Sequence, residues 1–469
     1  MLRGPTPTYA PLSVTIPVPP DGAPLATPTP DVPRSLPTPR QRADEYVVQP
    51  GDTLGAIAQY FGVGVGSLLE ANNLSDEDIL SLGTTLKIPS PEPGLPATSF
   101  KVIPDSELVY GPAAVAFDLE TFVASQGGYL ASYTEEIETQ MVSGAEIVEL
   151  VARNYSVNPR LLLAVLQHQS HWVTEADPRL SSYDYPLGFV HPNRVGLYRQ
   201  LAWAANELNR GYYLWRANAV GTWVLNDGTV VPIDPTINAG TAAVQNVFAV
   251  LDDRPTWDRD VDVYGLFQTY LFLFGNPFYL ALEPLVPSGV VQPAMELPFE
   301  PGALWAFTGG PHAAWDSGSG WAALDFAPPD VMGCAVSEQW VTAVADGFVV
   351  RSDDGAVVQD LDGDGYEQTG WNILYMHVFE QDRVSGGSYV YAGDRIGHPS
   401  CEGGISNASH LHLARKYNGE WIPADGAAAF VLGGWISAGE GFEYDGFLRR
   451  GTQSLEANEG ASELNQITR

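Results

Sequence analysis

The chain has 469 residues, too many for one ordinary hydrophobic core, so two to four domains are expected. Charged residues make up 17%, below the average of about a quarter, and 48 Gly with 37 Pro mark a loop-rich, extracytoplasmic protein rather than a cytosolic one. The formal net charge of −33 excludes nucleic acid as a partner and also repels anionic envelope polymers, so any wall binding must be local and specific. No stretch reaches the roughly 18 uninterrupted apolar residues that a membrane span needs. The opening MLRGPTPTYAPLS has no apolar h-region, so it is not expected to act as a signal peptide, and any export signal or anchor is expected outside this chain.

Residues 1–44 hold twelve prolines in their first forty positions and too few apolar residues to bury a core. They are expected to form an extended, disordered tether. At Tyr46 the text changes to YVVQPGDTLGAIAQYFGVGVGSLLEANNLSDEDILSLGTTLKIP. A strand from Tyr46 to Gln49 meets a Pro50-Gly51-Asp52 turn, and Asp52 or Thr53 can cap a helix starting at Leu54. Leu54, Ile57, Ala58 and Phe61 follow helical spacing, a second helix covers Ser67 to Asn72, and a closing strand runs from Thr85 to Ile88. This βααβ unit, residues 45–90, resembles the LysM domain through its YVVQPGDTL opening and KIP ending. The resemblance implies binding of N-acetylglucosamine-containing glycan strands in a shallow groove.

Residues 91–135 read as a linker and a leading helix, and residues 136–290 as an all-α domain. In GAEIVELVARNYSVNPRLLLAVLQHQSHWV, apolar residues recur at three- and four-residue steps, and Asn158-Pro159 opens the second helix. LLLAVLQHQSHWV resembles the catalytic helix of lysozyme-like lytic transglycosylases, which carries a Glu-Ser pair there. Here the pair reads Gln169-Ser170, and an amide cannot protonate a glycosidic oxygen. The domain is therefore expected to be inactive and to bind or only space, with Glu175 and Asp177 as candidates for substitute acids. Tyr212, Tyr213, Trp215 and Trp223 are candidates for sugar stacking. His168 and His171 sit three apart on one helical face but lack an acidic partner at motif spacing, so they read as core or surface histidines.

From residue 291 to 452 the texture is β: VTAVADGFVVRSD, NILYMHVFE, GSYVYAGDRIGHPS and ASHLHLARKYN are short alternating runs broken by Gly, Asp and Ser. An all-β, two-sheet domain is expected. His410 and His412 alternate along one strand and so share a face, while His312, Asp325 and His377 lie upstream within about a hundred residues. His and Asp in such numbers suit a catalytic zinc site, in which three protein ligands leave a fourth position to water.

VTAVADGFV, LYMHV, VYAGDRIGH and SHLHLA, in this order and spacing, resemble the lysostaphin/LytM-like zinc endopeptidases of bacterial cell walls. Many members place the first ligand four residues before the Asp, where this chain has Trp321. His312, thirteen residues upstream inside TGGPH, matches instead the longer gap of the beta-lytic, staphylolysin-type branch. The resemblance implies one Zn2+ on His312, Asp325 and His412. It also implies that His377 and His410 share the remaining work, one accepting the water's proton and the other steadying the oxyanion. The substrate implied is an amide within the stem peptides and cross-links of peptidoglycan.

Three further features complete the reading. Asp360, Asp362 and Asp364 precede Gly365 in DLDGDGYEQTGW, a calcium-loop-like spacing, although Trp371 stands where an EF-hand carries its bidentate Glu. A Ca2+-stabilised hairpin tip and a plain acidic turn both fit. Cys334 and Cys401 form an even pair in one domain and suit a single disulfide in an oxidising compartment, contributing about 2–4 kcal/mol. Residues 453–469 are polar and expected to form a disordered tail. The whole reads as an exported, LysM-targeted zinc endopeptidase of peptidoglycan; the alternative is a catalytically silent peptidoglycan-binding or hydrolase-activating protein.

Overall fold

The computed structural model describes residues 30–38, 40–49, 52–75, 80–92 and 94–469. The chain divides into two compact units. One comprises residues 109–117 and 282–469; the other comprises the described residues up to 108 together with 118–281.

The second unit opens with the βααβ element. Strands β1 (Asp44–Val47) and β2 (Thr85–Ile88) pair antiparallel, and helices α1 (Leu54–Phe61) and α2 (Val65–Asn72) pack on them. Val48, Ile57, Ala58, Val63, Leu68, Leu86 and Ile88 form its small core. The Asp52 carboxylate accepts from the Gln49 N–H and the Tyr46 hydroxyl. It therefore ties Tyr46 and Gln49 to Asp52; Pro50 and Gly51 lie outside the described residues. The first strand sits two residues earlier than its sequence pattern suggests, and α2 begins at Val65 rather than Ser67.

Helices α3 (Asp105–Leu108), α4 (Leu119–Gln126), α5 (Gly144–Tyr155), α6 (Pro159–Ser170), α7 (Leu197–Arg216), α8 (Ala239–Leu251), α9 (Arg254–Asp260) and α10 (Leu266–Phe274) make the rest of this unit. Two hairpins interrupt them: β3 (Thr134–Ile137) with β4 (Gln140–Ser143), and β5 (Thr222–Val224) with β6 (Val230–Pro232). A Ser143/Glu146 capping box starts α5, and Asn158 caps α6 ahead of Pro159, as the sequence signals.

Three expectations need correcting here. Residues 1–29 and 39 of the expected tether lie outside the described residues, but 30–38 are held in place. The Asp31 N–H donates to Thr236 O, the Arg34 N–H donates to Pro235 O, and Lys101 pairs with Asp31 at 2.6 Å. The 91–135 linker is likewise packed. Its Gly94 and Ala97 N–H groups donate to Val230 O and Pro232 O beside β6, and Val102 and Ile103 are fully buried. Pro-rich composition removes helix and strand but not docking by single hydrogen bonds and apolar side chains. Finally, Tyr212, Trp215 and Trp223 are core residues, exposed by 0%, 2% and 3%, so they cannot stack on a sugar.

The first unit is antiparallel β throughout. Its strands are β7 (Leu304–His312), β8 (Ala323–Ala327), β9 (Val341–Thr342), β10 (Gly347–Asp353), β11 (Ala356–Asp360), β12 (Trp371–Met376), β13 (Tyr389–Val390), β14 (Arg395–Gly397), β15 (Leu411–Tyr417), β16 (Glu420–Trp421), β17 (Val431–Leu432), β18 (Trp435–Gly439), β19 (Gly446–Arg450), β20 (Gln453–Glu456) and β21 (Gln466–Thr468). A nine-stranded sheet runs β13-β10-β11-β12-β15-β8-β7-β21, with β16 also on β15, and β17-β18-β19-β20 form a four-stranded sheet. The expected disordered tail is ordered: β20 pairs with β19, and β21 extends the large sheet along β7. Leu455 and Ile467 are buried, and the Asn465 amide donates to Phe307 O, so two apolar anchors outweigh a polar composition.

Alternation decides what faces the site. Leu324 and Phe326 of β8, Ile373 and Tyr375 of β12, and Leu411 and Leu413 of β15 point into one continuous core. The residues between them, including Asp325 and His412, therefore point to the other face.

Candidate metal centre

His412 on β15 lies in register between Asp325 of β8 and Met376 of β12, so the strand ladder itself sets Asp325 and His412 side by side. His312 arrives from the end of β7, and two β-bulges in the Phe307–His312 stretch shift its register against β8. Gly309 makes this approach possible: a Cβ there would stand 2.8 Å from Asp325 Oδ2. The twelve residues between His312 and Asp325 are a loop and the first two residues of β8.

His312 Nε2, Asp325 Oδ1 and His412 Nδ1 stand 3.0, 3.2 and 3.3 Å from one another, with all three side chains buried. A tetrahedral ion with N and O ligands at about 2.0–2.1 Å would space those atoms roughly 3.3 Å apart. The outer ring nitrogens support this fit. His312 Nδ1 donates to Gly310 O at 2.8 Å, and His412 Nε2 donates to Ala314 O at 3.0 Å. With these tautomers, three lone-pair-bearing atoms converge with no proton between them, an arrangement that a cation resolves.

The two remaining histidines lie alongside. His377 follows β12, where simple alternation would send it into the core behind Ile373 and Tyr375. Its left-handed φ of 66° breaks that alternation and turns the ring toward His410, with centroids 4.5 Å apart. His377 Nδ1 donates to Glu402 O and His410 Nδ1 donates to Ala408 O, so each ring offers Nε2 to the cleft. His410 Nε2 lies 3.6 Å from Asp325 Oδ1.

Electrostatics follow from burial and chiefly from the Asp325 carboxylate. Burial opposes charge on Asp325, but His312 and His410 beside it hold its carboxyl well below the usual range. Burial pulls His312 down, yet Asp325 outweighs it and the ring sits above its ordinary value. Burial, then His410 and His412, push His377 down to about 3, so that ring is neutral at any working pH. Burial also lowers His412.

The structure therefore gathers all five sequence candidates, His312, Asp325, His377, His410 and His412, at one place. Cys334 and Cys401 form a disulfide across 67 residues. Ser409 reinforces it, its N–H donating to Gly333 O and its hydroxyl to Ala335 O. The loop entering His410 is thereby fastened to residues 333–335. Sequence reasoning missed Tyr444, which stacks on His312 at 4.3 Å and 21°. It lies in the β18–β19 connection, where neither motif nor periodicity marks it. Burial and then Asp325 raise its phenol to about 12. Asp360, Asp362 and Asp364 form a second, separate cluster at the β11–β12 turn. His168 and His171 do not chelate: His168 bonds Thr269 and Asp260, and His171 is the exposed left-handed cap of α6.

Residues 101–286 match the family described as "LasA, N-terminal domain", and residues 46–89 match the LysM domain. Protease LasA of Pseudomonas aeruginosa is 28% identical over 356 residues, covering 69% of this chain and 75% of its own length. LasA of a second strain of that species is 27% identical over 349 residues, with the same coverage. Among solved structures, the deep-sea metalloprotease pseudoalterin is 21% identical, covering 38% of this chain and 100% of its own, with a TM-score of 0.32. The catalytic domain of lysostaphin from Staphylococcus simulans is 25% identical over 26% of this chain and 87% of its own, with a TM-score of 0.20. No helix among the described residues is long and apolar enough to cross a membrane. The chain is thus similar to the LasA proteases over 69% of its length and carries a LysM match at residues 46–89.

Proposed function

We propose that this protein is an exported zinc endopeptidase that cleaves peptide bonds of peptidoglycan and is held on its substrate by LysM. One observation carries the reading: three buried acceptor atoms converge at ligand spacing while backbone carbonyls occupy the outer nitrogens of both histidines. His312, Asp325 and His412 hold the ion. When bound, zinc supplies Lewis acidity and draws the pKa of water toward about 7.

The chain's own residues do the rest. Gly310 and Ala314 carbonyls fix the ligand rings, and Tyr444 covers one face of His312. His377 and His410, each oriented by a carbonyl at Nδ1, present Nε2 to the scissile amide. One takes up the proton of the attacking water and passes it to the leaving nitrogen; the other steadies the developing oxyanion. Burial of the cluster excludes bulk water and strengthens each of these interactions.

LysM is proposed to bind N-acetylglucosamine-containing strands, which places the reaction outside the cytoplasm. The helical domain is proposed as lysozyme-like and non-cleaving. Gln169 stands where an acid is needed, and Glu175 and Asp177 are exposed rather than held in a dry site that would keep an acid protonated. The test is mass analysis of fragments released from purified peptidoglycan with and without a zinc chelator. New peptide amino termini that vanish with chelator are expected; no fragments from zinc-loaded protein would overturn the enzyme reading.

A further inference from the structure

The β11–β12 connection carries DLDGDGYEQTGW at the end of the sheet away from the histidines. Six strand residues, Trp371 to Met376, separate it from His377, roughly 20 Å of extended chain. Asp360, Asp362 and Asp364 each bring a carboxylate oxygen to within 4.8 Å of the others. Asp360 is fully buried, and among the described residues none of the three forms an ion pair. The nearby cations Arg351 and Lys416 are engaged by Glu367 instead. Like charges this close repel, and a buried carboxylate without a counter-charge is costly.

A neighbouring strand supplies the second observation. Asn372 is the register partner of Asp360, so both side chains leave the same face of the sheet. Its Nδ2 donates to Thr369 O, which turns the amide into the loop, and the Thr369 hydroxyl in turn donates to Asp364. The amide is completely buried, yet its Oδ1 has no hydrogen-bond partner. Three carboxylates that have backbone and hydroxyl donors but no counter-charge, with an orphaned buried acceptor on the register partner of Asp360, make a set of hard oxygen ligands suited to a cation. Gly370 adds room for the cluster, because a Cβ there would stand 2.0 Å from Asp362 Oδ2.

We propose that this loop is a calcium site that clamps the β11–β12 turn, independent of the catalytic metal. Oxygen-only ligands in an irregular loop suit Ca2+ over Zn2+, and the Asp-x-Asp-x-Asp-Gly spacing supplies the first three ligands of a calcium loop. The loop differs from an EF-hand, since Trp371 stands at the twelfth position and the buried Asn372 amide follows it.

The test uses the full chain and two probes, Ca2+ and Tb3+. Calcium is expected to raise the melting temperature by several degrees, and Tb3+ emission sensitised through Trp371 is expected to be displaced by Ca2+. Asp362→Asn and Asp364→Asn should each weaken calcium binding at least tenfold and abolish both signals. Asp362 is exposed, so its variant folds even if that of Asp364 does not. Calcium-independent melting of the native chain, or signals equal in the native chain and Asp362→Asn, would overturn the proposal and leave a plain acidic turn.

Discussion

The two candidate metal clusters of the β unit are built in opposite ways. His312, Asp325 and His412 come from three strands and span a hundred residues of chain, so no part of that centre exists before the sheet does. Asp360, Asp362 and Asp364 lie within five residues and are organised by their own turn, whose N–H groups donate to the carboxylates. A long-range centre can be dry, rigid and open on one side to a substrate; a local loop can only hold. The contrast predicts that the first cluster governs chemistry and the second governs stability.

The largest effects should separate roles inside the first cluster. His412→Ala removes a ligand atom and should abolish both bound zinc and activity. His410→Ala should keep the metal while losing about 10²–10⁴-fold in rate. Zinc per chain by elemental analysis, read beside fragment release, checks this, and equal zinc loss in both variants would show that the division of roles is wrong. Gly309→Ala is the next sharpest probe, because the new Cβ must displace the Asp325 carboxylate. Zinc affinity should fall about 10–100-fold, as when the setting of a ligand is disturbed. Normal affinity would mean that the bulged approach of β7 has more freedom than its contacts indicate.

This long-range centre was nevertheless legible in the sequence. Alternation alone placed His410 and His412 on one face, and family resemblance supplied His312 across an unusual gap. What sequence could not give were the carbonyls of Gly310, Ala314, Glu402 and Ala408, which exist only as backbone geometry, or Tyr444, brought to His312 by the second sheet. The left-handed turn at His377 was equally hidden, since alternation predicts the wrong face for that ring. Composition misled at the edges of the chain. Residues 453–469 read as polar but are pinned by Leu455 and Ile467, and residues 91–105 read as linker but bury Val102 and Ile103. In the helical unit, large aromatics suggested a sugar platform, whereas Tyr212, Trp215 and Trp223 are simply the bulk of the core.

The disulfide tests whether the long-range centre needs its fastening. Cys334→Ser with Cys401→Ser opens a 67-residue loop, and denaturant unfolding should show a loss of about 2–4 kcal/mol. Activity should fall more than zinc affinity, because the bridge fastens the loop entering His410 and not the ladder holding Asp325 and His412. Equal losses would indicate that loop and ladder move together.

The smallest effect concerns a buried carboxylate in the helical unit, which has neither a metal cluster nor a turn to support it. Asp252 closes α8 with its Oδ2 buried and without a hydrogen-bond partner. Burial, and then Asp260, raise it from 3.8 to about 7. Between those values the folded chain keeps a proton that the unfolded chain has released. Stability of this unit should therefore fall as pH rises from about 4 to about 7, and stay low above that, by on the order of 2 kcal/mol. Asp252→Asn should flatten this slope and raise the melting temperature at pH 8 while leaving it unchanged at pH 4. Melting curves across pH measure it directly, and a native chain that gained stability over the same interval would show that the carboxylate is compensated after all. Neutralising it should leave zinc content and peptide cleavage untouched, because only the cluster assembled across the β sheet couples a buried charge to chemistry.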